Sequence, residues 1–196
     1  MATYIVLLGP PGSGKGTQAK LVAAKFGLPQ VSTGDLFRAM KAQDTPLARK
    51  VQETMALGHL ISDEITIDVV KERLSRDDCR SGATLDGFPR TLVQADALEN
   101  LLEDAFKSRV SIVPLFEVDR DETVRRISGR AEQEGRQDDS LEVAQERYRI
   151  YVEETAKLID YYAEKGVLVR IDGSRPIADV TADLMAAIEK RIQAAR

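Results

Sequence analysis

The feature that most limits what this chain can become lies within its first 27 residues. Tyr4 to Leu8 is a short apolar run that passes straight into Gly9-Pro10-Pro11-Gly12-Ser13-Gly14-Lys15-Gly16-Thr17. Apolar residues at Ala19, Leu21, Val22 and Phe26 then follow with helical character, and Gly27 stops them. A buried strand, a glycine-rich loop and a helix, in that order, open a βαβ unit. Such glycines let successive N–H groups turn inward around a phosphate, and the helix adds the positive end of its dipole. Lys15 is then the mobile cation for the β- and γ-phosphates of a nucleotide. The strict pattern has Ser or Thr directly after the lysine, where a hydroxyl binds Mg²⁺; here Gly16 takes that place and Thr17 comes one later. The expectation is therefore Mg²⁺ held by phosphates and water, with a carboxylate elsewhere orienting the water.

Further along, strand and helix signals keep alternating. Strands are expected at Leu28 to Val31, Ala83 to Leu85, Ser111 to Val118 and Val167 to Ile171. Helices are expected at Gly34 to Lys41, Thr45 to Ala56, Ser62 (as N-cap) through Leu74, Thr91 to Phe106, Asp121 to Ser128, Leu141 to Lys165 and Ile177 to Ala195. Alternation of this kind predicts βαβ units around a five-stranded parallel sheet flanked by helices, and with the glycine loop after the first strand the expected class is a three-layer α/β fold of the P-loop NTPase type. The polar stretch Gly129 to Asp139 reads as an insert on that sheet. No repeat or low-complexity tract interrupts the chain, so 1–196 reads as one domain.

Charge and cysteine usage narrow the function. The 28 Lys and Arg against 32 Asp and Glu leave a net charge of −4, which argues against nonspecific binding of nucleic-acid polymers. A single cysteine, Cys79, excludes an internal disulfide and a cysteine-built zinc site. The first residues turn to glycine too soon for a signal peptide or a membrane span, so the expectation is a cytoplasmic protein with no membrane partner. Arginines number 18 against 10 lysines. Surface salt bridges would account for many of them, yet Arg is also the cation suited to planar, bidentate contact with phosphate.

The segments GPPGSGKGTQA, STGDLFR, LDGFPRT, RRISGR, GRQDD and IDGSRPI, spread from residue 9 to residue 177, together resemble the adenylate kinase family of nucleoside monophosphate kinases, in family order. The resemblance implies a short-lid enzyme of the reaction ATP + AMP ⇌ 2 ADP, with ATP, AMP and ADP as partners, Mg²⁺ as cofactor, and a monomer. It implies a monophosphate-binding subdomain over 32–61 and a lid over 127–139, the remainder forming the core. The lid has only Ala131 to Gly135 between Arg130 and Arg136, without Cys or His, so no zinc is expected.

Carried over residue by residue, the resemblance places ATP on Gly12, Ser13, Gly14, Lys15, Gly16, Thr17, Arg126, Arg130, Gly173 and Arg175. It places AMP on Thr33, Gly34, Arg38, Ile61, Gly87, Arg90, Gln94, Arg136 and Arg147, with Gln94 pairing to the adenine edge. The transferred phosphoryl group falls to Lys15, Arg90, Arg126, Arg130, Arg136 and Arg147, and Asp86 is the carboxylate that orients metal-bound water. Gly58, His59, Leu60 and Ile61 would wall the AMP pocket, and Asp138 and Asp139 would pair with the lid arginines. Arg126 and Arg130 stand four residues apart near a helix end, hence on one face.

A phosphate acceptor is already ionised near pH 7, so the reaction needs no general base. That suits a chain whose only histidine is His59. Seven proposed cations (Lys15, Arg38, Arg90, Arg126, Arg130, Arg136, Arg147) would face the phosphates; taking 7 from −4 leaves −11 for the rest. The expectation is thus an acidic body around a cationic cleft, with catalysis by positioning and electrostatic stabilisation. Two alternatives share parts of this pattern. A UMP/CMP kinase has the same fold and short lid, though Thr33, Thr91 and Gln94 favour adenine. A non-catalytic nucleotide-binding module would not need Lys15, Arg90 and Arg130 together. Cys79 reads as an ordinary surface or core thiol, and the tyrosines Tyr148, Tyr151, Tyr161 and Tyr162 read as packing.

Overall fold

The computed structural model of the chain describes residues 2–134 and 140–194. Five strands form one parallel sheet: β1 (Thr3–Leu7), β2 (Gln30–Ser32), β3 (Gly82–Asp86), β4 (Val110–Glu117) and β5 (Leu168–Asp172), in the spatial order β2-β3-β1-β4-β5. Parallel neighbours need long crossovers, and helices supply them here. They are α1 (Lys15–Phe26), α2 (Thr33–Ala39), α3 (Pro46–Ala56), α4 (Asp63–Leu74), α5 (Leu92–Phe106), α6 (Arg120–Glu134), α7 (Leu141–Glu153), α8 (Leu158–Glu164) and α9 (Ile177–Ala194).

Strand β1 shows why the sheet is buried on both faces. Tyr4, Val6 and Leu8 join one core with Val70 and Leu74 of α4, Leu98 and Leu102 of α5, and Leu158 and Tyr162 of α8. Ile5 and Leu7 point the other way, into a core with Ala19 and Val22 of α1 and Leu184 and Ile188 of α9. An apolar residue at every position from Tyr4 to Leu8 is what a two-sided parallel strand requires. A third, smaller core of Phe37, Val51 and Ile61, backed by Met40, Met55, Ile65 and Val69, holds α2, α3 and the start of α4 together.

The registers put the carboxyl ends of the strands level. Leu7 and Ser32 both stand opposite Asp86, and Glu117 stands opposite Asp172. Strand β1 has β3 on one side and β4 on the other, so the chain leaves it at the point where the strand order reverses. Ligands of open α/β sheets bind outside that crevice.

Three sequence expectations change. The helix expected over Leu141 to Lys165 is broken: α7 ends at Glu153, a 3₁₀ turn covers Thr155–Lys157, and α8 follows. Thr155 Oγ1 donates to the Arg90 carbonyl at 3.0 Å, so a tertiary contact bends the chain there. Helix α6 also runs past Ser128 to Glu134, taking up the first part of the stretch read as a polar insert. Ala131, Glu132, Gln133 and Glu134 are good helix formers, and they carry α6 through Gly129. Third, Ser62 precedes α4 but makes no side-chain capping bond, and it supplies only its carbonyl to Thr66 N–H. The core places Cys79 and Tyr162 as packing residues, both fully buried.

Candidate functional site

At the carboxyl ends of the strands lies a cleft of about 990 Å³, walled by the glycine loop, α2, the turn before α4, the loop after β3, and α6, α7 and the β5–α9 loop. Its floor is the loop after β1. Gly12 has φ +80°, and a Cβ there would stand 2.8 Å from the Thr123 carbonyl oxygen of α6; only glycine fits both the backbone and the gap. Gly14, at φ +92°, caps α1 without a side chain, which leaves the first N–H groups of that helix facing the cleft. Lys15 folds over the loop, its Nζ donating to the carbonyls of Gly9 (2.8 Å) and Pro10 (2.7 Å) and to Ser13 Oγ (3.2 Å). Those carbonyls hold the ammonium where an anion cradled by the loop would meet it.

Asp86 ends β3 beside this floor. A Cβ on Gly16 would meet its Oδ2 at 3.4 Å, and Gln30 Nε2 donates to the same oxygen at 3.3 Å. The carboxylate therefore lies in contact with the position that carries a hydroxyl in the strict loop pattern. Among the described residues no group of three or more His, Cys, Asp or Glu side chains forms a metal cage. What the site offers a divalent cation is one carboxylate next to the phosphate loop, a donor set that fits an ion carried mainly by a nucleotide.

Opposite the loop, Arg90 is fixed from its own turn. Gly87, at φ +76°, accepts from Arg90 Nε (2.8 Å) and from Thr33 Oγ1 (2.8 Å) through its carbonyl. Burial lowers the pKa of Arg90, and the charges of Arg147 and Arg38 lower it further, while Asp86 acts the other way. A guanidinium still holds its proton under such a shift. Arg38 and Arg147 thus stand close enough to Arg90 for their like charges to act on it, and an incoming dianion would ease that repulsion. Arg38 rests on Asp35 at 2.6 Å, with its guanidinium over Gly34, and Arg147 packs its stem against Gly58.

The expected AMP residues Thr33, Gly34, Arg38, Ile61, Gly87, Arg90, Gln94 and Arg147 all line this cleft, as do Gly12 to Thr17, Arg126, Gly173, Arg175 and Asp86. His59 and Leu60 line it too, and His59 Nε2 lies 3.5 Å from Glu146 of α7. Arg130 lies in α6, but its side chain is outside the described part of the chain; Arg136, Asp138 and Asp139 also lie outside the described residues.

Several contacts had no place in the sequence expectations. Glu122 accepts from Arg126 Nε at 2.6 Å and from Arg125 at 2.8 Å, and these two arginines hold its carboxyl at a pKa of about 2. Arg126 then reaches the Gly173 carbonyl at 2.9 Å, tying α6 to the β5–α9 loop. The spacing of Glu122 three and four residues before these arginines was the available signal. Arg175 pairs with Asp183 at 2.8 Å. Arg73, Arg76, Arg80, Arg149 and Arg170 sit in surface or rim ion pairs, as base rates for arginine anticipate.

Chemically, the cleft presents a phosphate loop with a lysine on one wall and converging arginines on the other. Comparison with known proteins places the chain in a family. A family profile described as adenylate kinase matches residues 7–167. Among curated proteins, the chain is 46% identical to an adenylate kinase of Methylobacterium radiotolerans, over 94% of this chain and 95% of that one. It is 44% identical to one of Thermobifida fusca, over 95% and 98%. With one of Archaeoglobus fulgidus it shares 41%, again over 95% and 98%.

Proposed function

The chain belongs to the adenylate kinase family and catalyses reversible phosphoryl transfer, ATP + AMP ⇌ 2 ADP; on that premise we propose how its residues divide the work. The observation that carries the proposal is the meeting of the Lys15 loop with Arg38, Arg90 and Arg147 in one cleft.

The loop N–H groups from Gly12 to Thr17 hold the β- and γ-phosphates of ATP, and Lys15 exchanges its carbonyl partners for them. Arg126, kept flat by Glu122 and the Gly173 carbonyl, covers the adenine of ATP, and Gly173 and Arg175 complete that pocket. Arg38, Arg90 and Arg147 take the phosphate of AMP, with Thr33, Gly34, Ile61, Gly87 and Gln94 around its nucleoside. Arg130 and Arg136 join the clamp on the transferred group. The acceptor oxygen carries no proton to remove, so the residues act by alignment and by balancing charge that spreads over the phosphoryl oxygens. ATP near −4 and AMP near −2 bring a load that fixed cations in a site shut off from water offset far better than cations in solution. Closure of the segments 32–61 and 127–139 over the substrates excludes water and denies the phosphoryl group to hydrolysis.

A Mg²⁺ ion carried by the nucleotide would supply further charge neutralisation, and Asp86 is the residue that would orient its water. A monomer in the cytoplasm completes the proposal: one chain supplies both walls of the cleft, and neither a membrane nor a nucleic-acid polymer takes part.

ADP production from ATP with AMP, CMP, UMP or GMP as acceptor tests the proposal. AMP should exceed each of the others by about tenfold or more, the scale of a base contact made by side-chain hydrogen bonds. Equal rates with a pyrimidine acceptor would overturn the AMP assignment.

A further inference from the structure

Gln94 is 1% exposed, yet it forms part of the cleft wall, and both ends of its amide are already engaged. Its Oε1 accepts from the Arg90 backbone N–H at 2.8 Å, and its Nε2 donates to Asp63 Oδ1 at 2.7 Å. A backbone N–H can only donate, and a carboxylate can only accept. The two neighbours therefore determine which end of the amide is oxygen and which is nitrogen. Turning the amide over would set its NH₂ against the Arg90 N–H and its oxygen against the carboxylate.

Asp63 is itself fixed. Thr91 Oγ1 donates to the same Oδ1 at 3.0 Å while accepting from Gln94 N–H at 3.2 Å, which closes a ring of three side chains at the start of α5. Asp63 is half-buried at the first residue of α4 and lies behind Gln94, outside the residues that line the cleft. A carboxamide has two N–H groups and two acceptor sites on oxygen. After these bonds, one N–H and one acceptor site remain, in a fixed order.

We infer that Asp63 is a positioning residue for base specificity: it locks the Gln94 amide in the orientation that reads adenine and rejects a 6-oxopurine. This rests on the proposed contact between Gln94 and the base of AMP. The edge of adenine offers a donor at N6 and an acceptor at N1, which match one acceptor and one donor of the amide. Hypoxanthine has nearly the same shape but offers an acceptor at O6 and a donor at N1. It needs the opposite amide, which Asp63 and Arg90 N–H forbid. A buried polar edge left unpaired is the strongest means of discrimination open to such a pocket.

The test compares kcat/KM for AMP and IMP at saturating ATP and Mg²⁺ in wild type, Asp63→Ala, Asp63→Asn and Gln94→Ala, with thermal unfolding of each. Asp63→Ala removes one of the two locks and leaves the Arg90 N–H in place, so it should lower the AMP-to-IMP ratio by about 5- to 10-fold, the lower end of the range of a bidentate base contact. The loss should fall on KM for AMP, with IMP unchanged or improved. Asp63→Asn keeps an acceptor oxygen at the same place and should recover most of the ratio. A merely structural role would depress both acceptors alike, and that result would overturn the inference. Gln94→Ala separates the two layers of the argument. If it lowers the ratio while Asp63→Ala does not, Asp63 has no positioning role. If it leaves the ratio unchanged, the contact between Gln94 and the base is wrong and the inference falls with it. Should Asp63→Ala fail to fold, Asp63→Ser withdraws the carboxylate while leaving a polar residue at the helix start, and the same ratio decides.

Discussion

Replacing Gly87 by Ala perturbs the acceptor wall at one atom. The backbone there has φ +76°, and an added Cβ would lie 2.9 Å from both Arg90 Nη2 and Thr33 Oγ1. Carbon contacts are comfortable only from about 3.5 Å, so the guanidinium must retreat by roughly half an ångström or more. The left-handed conformation alone costs about 1–2 kcal/mol for a residue with a Cβ. For a chain of this size that corresponds to a fall in Tm of about 2–8 °C. Displacing Arg90 also strains its 2.8 Å bond to the Gly87 carbonyl and moves it off the place proposed for the AMP phosphate. A misplacement on this scale lowers activity by about 10- to 100-fold, and it should appear in kcat/KM for AMP. The ATP side is built from other residues, so KM for ATP should stay within about twofold. Initial rates with each substrate varied in turn, in an assay coupled to ADP, read both numbers. Unchanged kcat/KM for AMP, or an equal rise in KM for ATP, would refute the reasoning.

Lys15→Met should reduce turnover by about 10²–10³, the scale for removing one transition-state donor, with the fold retained by circular dichroism. Asp86→Asn should raise the Mg²⁺ concentration for half-maximal rate, read from a metal titration at fixed ATP, because the carboxylate beside Gly16 is the group proposed to orient the ion's water. Glu122→Gln should raise KM for ATP by freeing Arg126, and it should alter the acid limb of stability. The Glu122 carboxyl falls from 4.5 to about 2 in the folded protein, so its contribution is whole above pH 4.5 and disappears as pH falls towards 2. The Tm difference between wild type and this variant should therefore shrink across that window.

What could be read from the chain beforehand follows the range of each interaction. The strand, loop and helix from Thr3 to Phe26 were legible because every residue that defines them is adjacent in sequence, and the glycines serve backbone geometry that no other residue allows. The two-sided cores were legible in outline, since uninterrupted apolar strands belong inside parallel sheets. The break between α7 and α8 was not, because Glu154 to Lys157 contains neither Gly nor Pro and the bend depends on a bond from Thr155 to Arg90, 65 residues away. The C-terminal extension of α6 was hidden for a different reason: Gly129 and a polar sequence resemble a loop until helix propensity is summed over Ala131 to Glu134. Asp63 illustrates the limit at the site. As an acid in the first turn of α4 it already had a sufficient local explanation in the helix dipole, and its ties to Thr91 and Gln94 span 28 and 31 residues. Arginine number was a usable signal, yet only the structure separates Arg90, held inside the cleft by Gly87, from Arg76 or Arg80 on the surface.

The central claim is that donor and acceptor sites are two halves of one cleft in one chain. Titration calorimetry with a compound joining two adenosines through five phosphates measures this directly, since such a ligand must occupy both halves at once. One molecule should bind per chain, more tightly than ATP or AMP alone by about 10² or more, as expected when a second contact becomes intramolecular. Lys15→Met and Arg90→Ala should each weaken it. Two molecules bound per chain, or an affinity no greater than that of ATP, would contradict the account.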